Sequence, residues 1–79
     1  MSLVTTALRA LHAIGYEDVR MTLNPDGSVV AVVSVAARNE WEPFRDAMQG
    51  VARERGLQCV TTENRAAPLR AFVAHWFGG

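Results

Sequence analysis

The stretch from Asp18 to Ala36 constrains the fold of this chain more than any other. Asp18-Val19-Arg20-Met21-Thr22-Leu23 alternates polar and apolar residues, which places Val19, Met21 and Leu23 on the inward side of a half-buried strand. Asn24-Pro25-Asp26-Gly27 follows as a turn, with the proline ring presetting φ at the first central position and glycine accepting a positive φ. Ser28 to Ala36 is then almost wholly apolar and rich in β-branched residues. Two such segments joined by so short a turn make a hairpin, and the second strand reads as buried on both faces.

Helical spacing brackets the hairpin. Residues 2–14 read as a helix capped by Ser2, with Val4, Ala7, Leu8, Leu11 and Ile14 along one face. Gly15 suits the left-handed position after its last turn, with Tyr16 placed to contact the helix again. Residues 40–55 form a second helix with the apolar stripe Trp41, Phe44, Ala47, Met48, Val51 and Ala52, stopped by Gly56. Asn39 and Glu42 have the spacing of a capping box, but Pro43 has no N–H to give Asn39, which leaves Glu40 as the alternative cap. Residues 57–62 are a short third strand. Leu69, Phe72, Val73, Trp76 and Phe77 then recur at helical spacing, with Pro68 in the first turn and Gly78 at the stop, and predict a third helix.

The expected order is therefore α-β-β-α-β-α. A right-handed crossover through the second helix would set strand three parallel to strand two, giving a three-stranded mixed sheet in the order 1-2-3 with the most apolar strand central. The first two helices would cover one face, leaving the other to the third helix or to a second protomer. This layout resembles a ferredoxin-like α+β sandwich truncated by its first strand.

With 79 residues, positions 1–79 make one domain, and a hydrophobic share of 49% favours a packed core over disorder. So small a chain buries a limited share of its surface, which makes a homodimer an expected state. No apolar run reaches membrane-spanning length, and the opening Met-Ser-Leu-Val-Thr-Thr lacks the charged start of a secretory signal, so a cytoplasmic location is expected. Formal net charge is zero, without the basic excess that phosphate neutralisation demands of a dedicated nucleic-acid binder. Lysine is absent, a bias that GC-rich coding produces as readily as a need for bidentate anion recognition.

Reactive groups are sparse. Gly78-Gly79 has the composition of a ubiquitin-like or sulfur-carrier tail, but it follows an expected helix directly and reads as a helix stop. Cys59 is the single cysteine, placed mid-strand beside Leu57, where an inert buried thiol is the usual finding and nucleophilic pairing with His12 or His75 is not favoured. The two histidines fall on different elements, no metal-ligand spacing occurs, and no glycine-rich loop follows a strand, so neither a metal nor a cofactor is expected. Arg53, Arg55, Arg65 and Arg70 form the one locally basic stretch and, with Trp41 and Arg45, are the candidate partner-binding residues. Leu57, Cys59, Thr61, Trp76 and Phe77 are the candidate dimer interface.

A motif-poor single domain of this kind reads as a non-catalytic protein-binding module. In size and layout it resembles the small phage-encoded anti-defence inhibitors, the anti-CRISPR proteins among them, which block a larger nucleoprotein machine by occupying its surface. The resemblance implies contact with a protein subunit over imitation of DNA, because the chain is neutral. The alternative is a small nucleic-acid-associated domain using the Arg53–Arg70 region.

Overall fold

The computed structural model describes residues 1–65 and 70–78. Helix α1 (Leu3–Ala13) leads into the hairpin of β1 (Val19–Leu23) and β2 (Val29–Ser34), and helix α2 (Trp41–Arg55) into a second hairpin of β3 (Leu57–Asn64) and β4 (Ala71–Gly78). The four strands form one sheet in the order β1-β2-β4-β3, every neighbouring pair antiparallel. The α+β class expected from the sequence holds, and both helices pack on one face of the sheet.

Local signals behave as their chemistry dictates at the start of the chain. Ser2 Oγ accepts the Thr5 amide at 3.1 Å and caps α1. Gly15 takes a φ of 98°, and the Tyr16 amide donates to the Leu11 carbonyl at 3.0 Å, while the Tyr16 ring packs against Phe44 and Phe72. In the hairpin turn Gly27 adopts φ 87° and donates to the Asn24 carbonyl at 2.9 Å. Buried Ser28 then donates through both its amide (2.8 Å) and its hydroxyl (2.6 Å) to Asp26 Oδ1. Those two bonds hold the Asp26 carboxyl below the usual carboxylate range. Helix α2 is capped at Glu40 with no side-chain bond, while Asn39 Oδ1 accepts the Ala36 amide at 2.8 Å, so the capping box does not form.

Three expectations are corrected. The C-terminal segment is not a helix: Ala71–Gly78 is β4, with Phe72, Ala74 and Trp76 facing the helices and Gly78 paired with Leu57 inside the strand. Both faces of this strand carry apolar residues, so its period of two was masked and an accidental helical spacing showed through. Of the residues in that expected helix, Pro68 and Leu69 lie outside the described part, as does Gly79. The sheet is therefore four-stranded and wholly antiparallel, and no parallel crossover occurs. Strand β3 does not touch β2. Its hairpin partner β4 lies between them, and the Val35 amide extends the β2–β4 pairing with a 3.1 Å bond to the Arg70 carbonyl.

The chain is in fact two α-β-β units. Exchanging them leaves the strand order unchanged when the sheet is read from the opposite edge. Counted back from the left-handed glycines, Leu3, Ala7, Ala10 and Leu11 before Gly15 take the places of Phe44, Met48, Val51 and Ala52 before Gly56, and all eight pack in the core. At this spacing the two halves coincide in identity only at Gly15/Gly56, Val19/Val60 and Val32/Val73, so the repeat is one of spacing and topology.

The core lies between the helices and the sheet, with Leu11, Phe44, Met48, Val33, Phe72 and Trp76 fully buried. Phe44 and Phe72 sit 5.1 Å apart by ring centroid, and Tyr16 and Trp41 each contact both of them. The Trp76 indole would strand its N–H at zero exposure, but Nε1 donates to the Met48 carbonyl of α2 at 3.0 Å. That bond pins the central strand to the overlying helix.

Candidate functional site

No described element covers the second face of the sheet, and the register arranges its side chains in crosswise rows. One row runs Thr22, Val30, His75, Val60; the next runs Arg20, Val32, Val73, Thr62. Ser34, Ala71 and Asn64 close one end, and Phe77 beside Gln58 lies toward the other. The middle of the face is thus Val30, Val32, Val73, His75 and Phe77, all half-buried by one another, with Val60 exposed at 51% on the β3 edge. An antiparallel sheet that simply meets water alternates apolar with polar or charged residues. Here β2 and β4 are largely apolar on both sides, His75 apart, and polar residues, Arg20 among them, gather at the margin.

His75 stands in the centre of this surface. Its ring lies 5.2 Å from that of Phe77, and Nε2 is buried without a hydrogen-bond partner among the described residues. An imidazole nitrogen placed among valines is an unfavourable arrangement in the isolated monomer.

The arginines singled out from the sequence do not form a shared surface. Arg65 and Arg70 converge on one carboxylate, Glu63, at 3.1 and 2.8 Å. Glu63 points to the helix side of the sheet with 14% of its side chain exposed, and the Arg70 and then Arg65 hydrogen bonds hold its carboxyl below the usual range. Arg55 reaches the N-terminus of α1 instead, donating to the Met1 carbonyl at 2.9 Å and touching Thr6 Oγ1 at 3.5 Å. Arg45 pairs with its exposed neighbour Asp46, and Arg53 is exposed in the last turn of α2. Trp41 is half-buried and packs against Phe44 and Phe72, so most of its work is in the core.

The residues expected at a dimer interface separate by face. Trp76 is fully buried in this chain's own core and offers nothing to a partner. Leu57, Cys59 and Thr61 share the helix-covered side of β3, with Leu57 and Cys59 packed against the core. Phe77 alone of that set lies on the open face. Strand β3 is a sheet edge, and the Gln49 side chain from α2 donates to its Cys59 carbonyl at 3.0 Å. Burial pushes the Cys59 thiol up to about 11, against a smaller opposing contribution from the His75 backbone, so the group is a thiol at neutral pH and a poor nucleophile.

Among the described residues no three of His, Cys, Asp and Glu gather to hold a metal, and no helix is long and apolar enough to cross a membrane. A groove of about 480 Å³ opens between the α1–β1 and β2–α2 connections, over Tyr16, Ser34 and Val35. Its rim mixes Glu17 and Asp18 with Arg38, an opposition of charge that selects neither anion nor cation. Tyr16 beneath it has its phenol pushed upward by burial, which disfavours the phenolate a base would need. No family model, curated protein or solved structure matches the chain.

Sequence reasoning missed Val30, Val32, Val60 and Val73 as surface residues. The signal was present in Ser28–Ala36: a run apolar on both faces needs cover on both, and two helices on one side cannot provide it.

Proposed function

We propose that this protein is a non-catalytic binding module whose binding surface is the open sheet face. The observation that carries the reading is the largely apolar centre of Val30, Val32, Val73 and Phe77 around His75, inside a margin that includes Arg20, Thr22, Gln58, Thr62 and Asn64. An apolar centre with a polar rim is the anatomy of a protein–protein contact. Three crowded valines also lose little side-chain entropy on being covered, since their χ1 angles are already restricted. The narrower reading, a small inhibitor of a larger nucleoprotein machine of the anti-defence kind, rests on size and layout alone. The rival reading, nucleic-acid binding through Arg53–Arg70, draws less support, because Glu63 engages Arg65 and Arg70, and Arg55 is tied to Met1 and Thr6.

The test is affinity capture from host lysate with the wild-type chain and with Val73→Glu, each with and without nuclease. One protein complex retained by the wild type in both treatments and lost by Val73→Glu is the expected result. Retention that nuclease abolishes would overturn the reading and turn attention to the arginines.

A further inference from the structure

We infer that the groove between the α1–β1 and β2–α2 connections is a second binding site, for a small zwitterion of the α-amino acid class with an apolar side chain. The site is separate from the open face and stands or falls independently of it.

The two α-β-β units differ at this place. In the second unit the chain enters β3 directly after Gly56, and Leu57, Gln58 and Cys59 pair with Gly78, Phe77 and Trp76. In the first, Tyr16, Glu17 and Asp18 follow Gly15 without joining the sheet, and the pairing of β1 with β2 ends at Val19 and Val33. Where the second unit closes, the first opens into about 480 Å³, inside the roughly 300–1,000 Å³ of small-molecule sites. Local bonds hold both walls in place. On one side the Gly15 and Tyr16 amides donate to the His12 and Leu11 carbonyls at 3.1 and 3.0 Å. On the other, Asn39 Oδ1 accepts the Ala36 amide at 2.8 Å, and the Asn39 amide donates to the Ala36 carbonyl at 3.0 Å. A ligand then has little backbone left to order on binding.

Charge names the ligand. Glu17 and Asp18 belong to one wall and Arg38 to the other, all three exposed, and among the described residues none of them forms an ion pair. A simple anion would meet Arg38 but also two carboxylates, and a simple cation would meet the carboxylates but also Arg38. A molecule that carries an ammonium and a carboxylate answers both walls at once. Tyr16, Val35 and Ala36 lie between the walls and suit an apolar side chain. Tyr16 is only 6% exposed, and its hydroxyl has no hydrogen-bond partner among the described residues. A buried phenol ordinarily has one, and a ligand oxygen in the groove would supply it.

The test is a titration of the full ¹⁵N-labelled chain with L-phenylalanine, followed by amide chemical shifts. Saturable shifts centred on Glu17, Asp18, Arg38 and Asn39, with dissociation in the millimolar range, are expected. Phenylalaninamide, which lacks the carboxylate, and N-acetylphenylalanine, which lacks the ammonium, should each bind about fivefold more weakly, the scale of one partly exposed ion pair. Arg38→Gln should weaken L-phenylalanine by a similar factor and remove the preference over phenylalaninamide. Absence of saturable shifts, shifts centred away from the groove, or analogues that bind as well as the amino acid would each overturn the inference. The analogue comparison uses the wild-type chain, so it holds whatever the substitution does to folding.

Discussion

The two faces of one sheet share strands, backbone and β-branched content, yet they are built for different work. On the covered face, Phe72 and Trp76 interlock with Leu11, Phe44 and Met48 at zero exposure, and the buried indole N–H has its acceptor. On the open face the side chains are smaller, mostly valines half-buried by one another, and the central His75 leaves Nε2 unpaired among the described residues. The difference separates two uses of apolar surface. Large interdigitated side chains with satisfied polar atoms hold one chain together; small stiff side chains on an uncovered sheet face, with Thr, Gln and Asn at its margin, suit a surface that has another molecule to meet.

The sharpest way to break that comparison is to truncate the covered face. Phe72→Ala should lose about 3–5 kcal/mol, enough to unfold a chain this small in a urea titration, because it empties the middle of the aromatic cluster. A loss below about 1 kcal/mol would show that the covered face is not the stabilising one. Gly56→Ala strains a residue held at φ 65° where α2 turns into β3, and should lower stability by about 1 kcal/mol. The space around Gly56 is open, so the cost lies in the backbone conformation alone, and a stabilising effect would argue against a left-handed helix end there.

Electrostatics offers a smaller, pH-dependent test at the margin between the faces. The folded-state pKa of Glu63 is depressed by Arg70 and Arg65, so its contribution is fully present above the ordinary carboxylate range and is lost as pH falls through and below that range. Asp26 behaves in the same way through Ser28. Glu63→Gln should therefore lower the melting temperature at neutral pH and flatten its fall on acidification, while a parallel shift at all pH values would argue against a charge effect. Smallest of all, Val30→Thr on the open face should change the stability of the monomer by no more than about 0.5 kcal/mol while weakening whatever contact that face makes. Thiol labelling adds a check: Cys59 should react slowly in the native chain at neutral pH and rapidly once the chain is unfolded in urea.

The sequence by itself determined the pieces whose information is local. Ser2 at a helix start, Gly15 and Gly56 at helix ends, and Asn24 to Gly27 at a turn each act through one or two backbone bonds, and each stands where its chemistry places it. The stripes of α1 and α2 were legible because one side of each meets water. The C-terminal strand was not, because a strand apolar on both faces carries no alternation, and Leu69, Phe72, Val73, Trp76 and Phe77 match a helix equally well. Only tertiary structure decides such a segment: β4 finds unpaired backbone on β2 and β3 at once and satisfies its own amides on both sides. The same event decides the surface. Arg65 and Arg70 lie close in sequence and look like a basic patch, but the pairing of β3 with β4 brings both to Glu63. Val30, Val32, Val60 and Val73 look like core, but pairing order assembles them into a face that no described element covers. Patterning along a chain says which residues avoid water, whereas which of them share a face is a property of strand order.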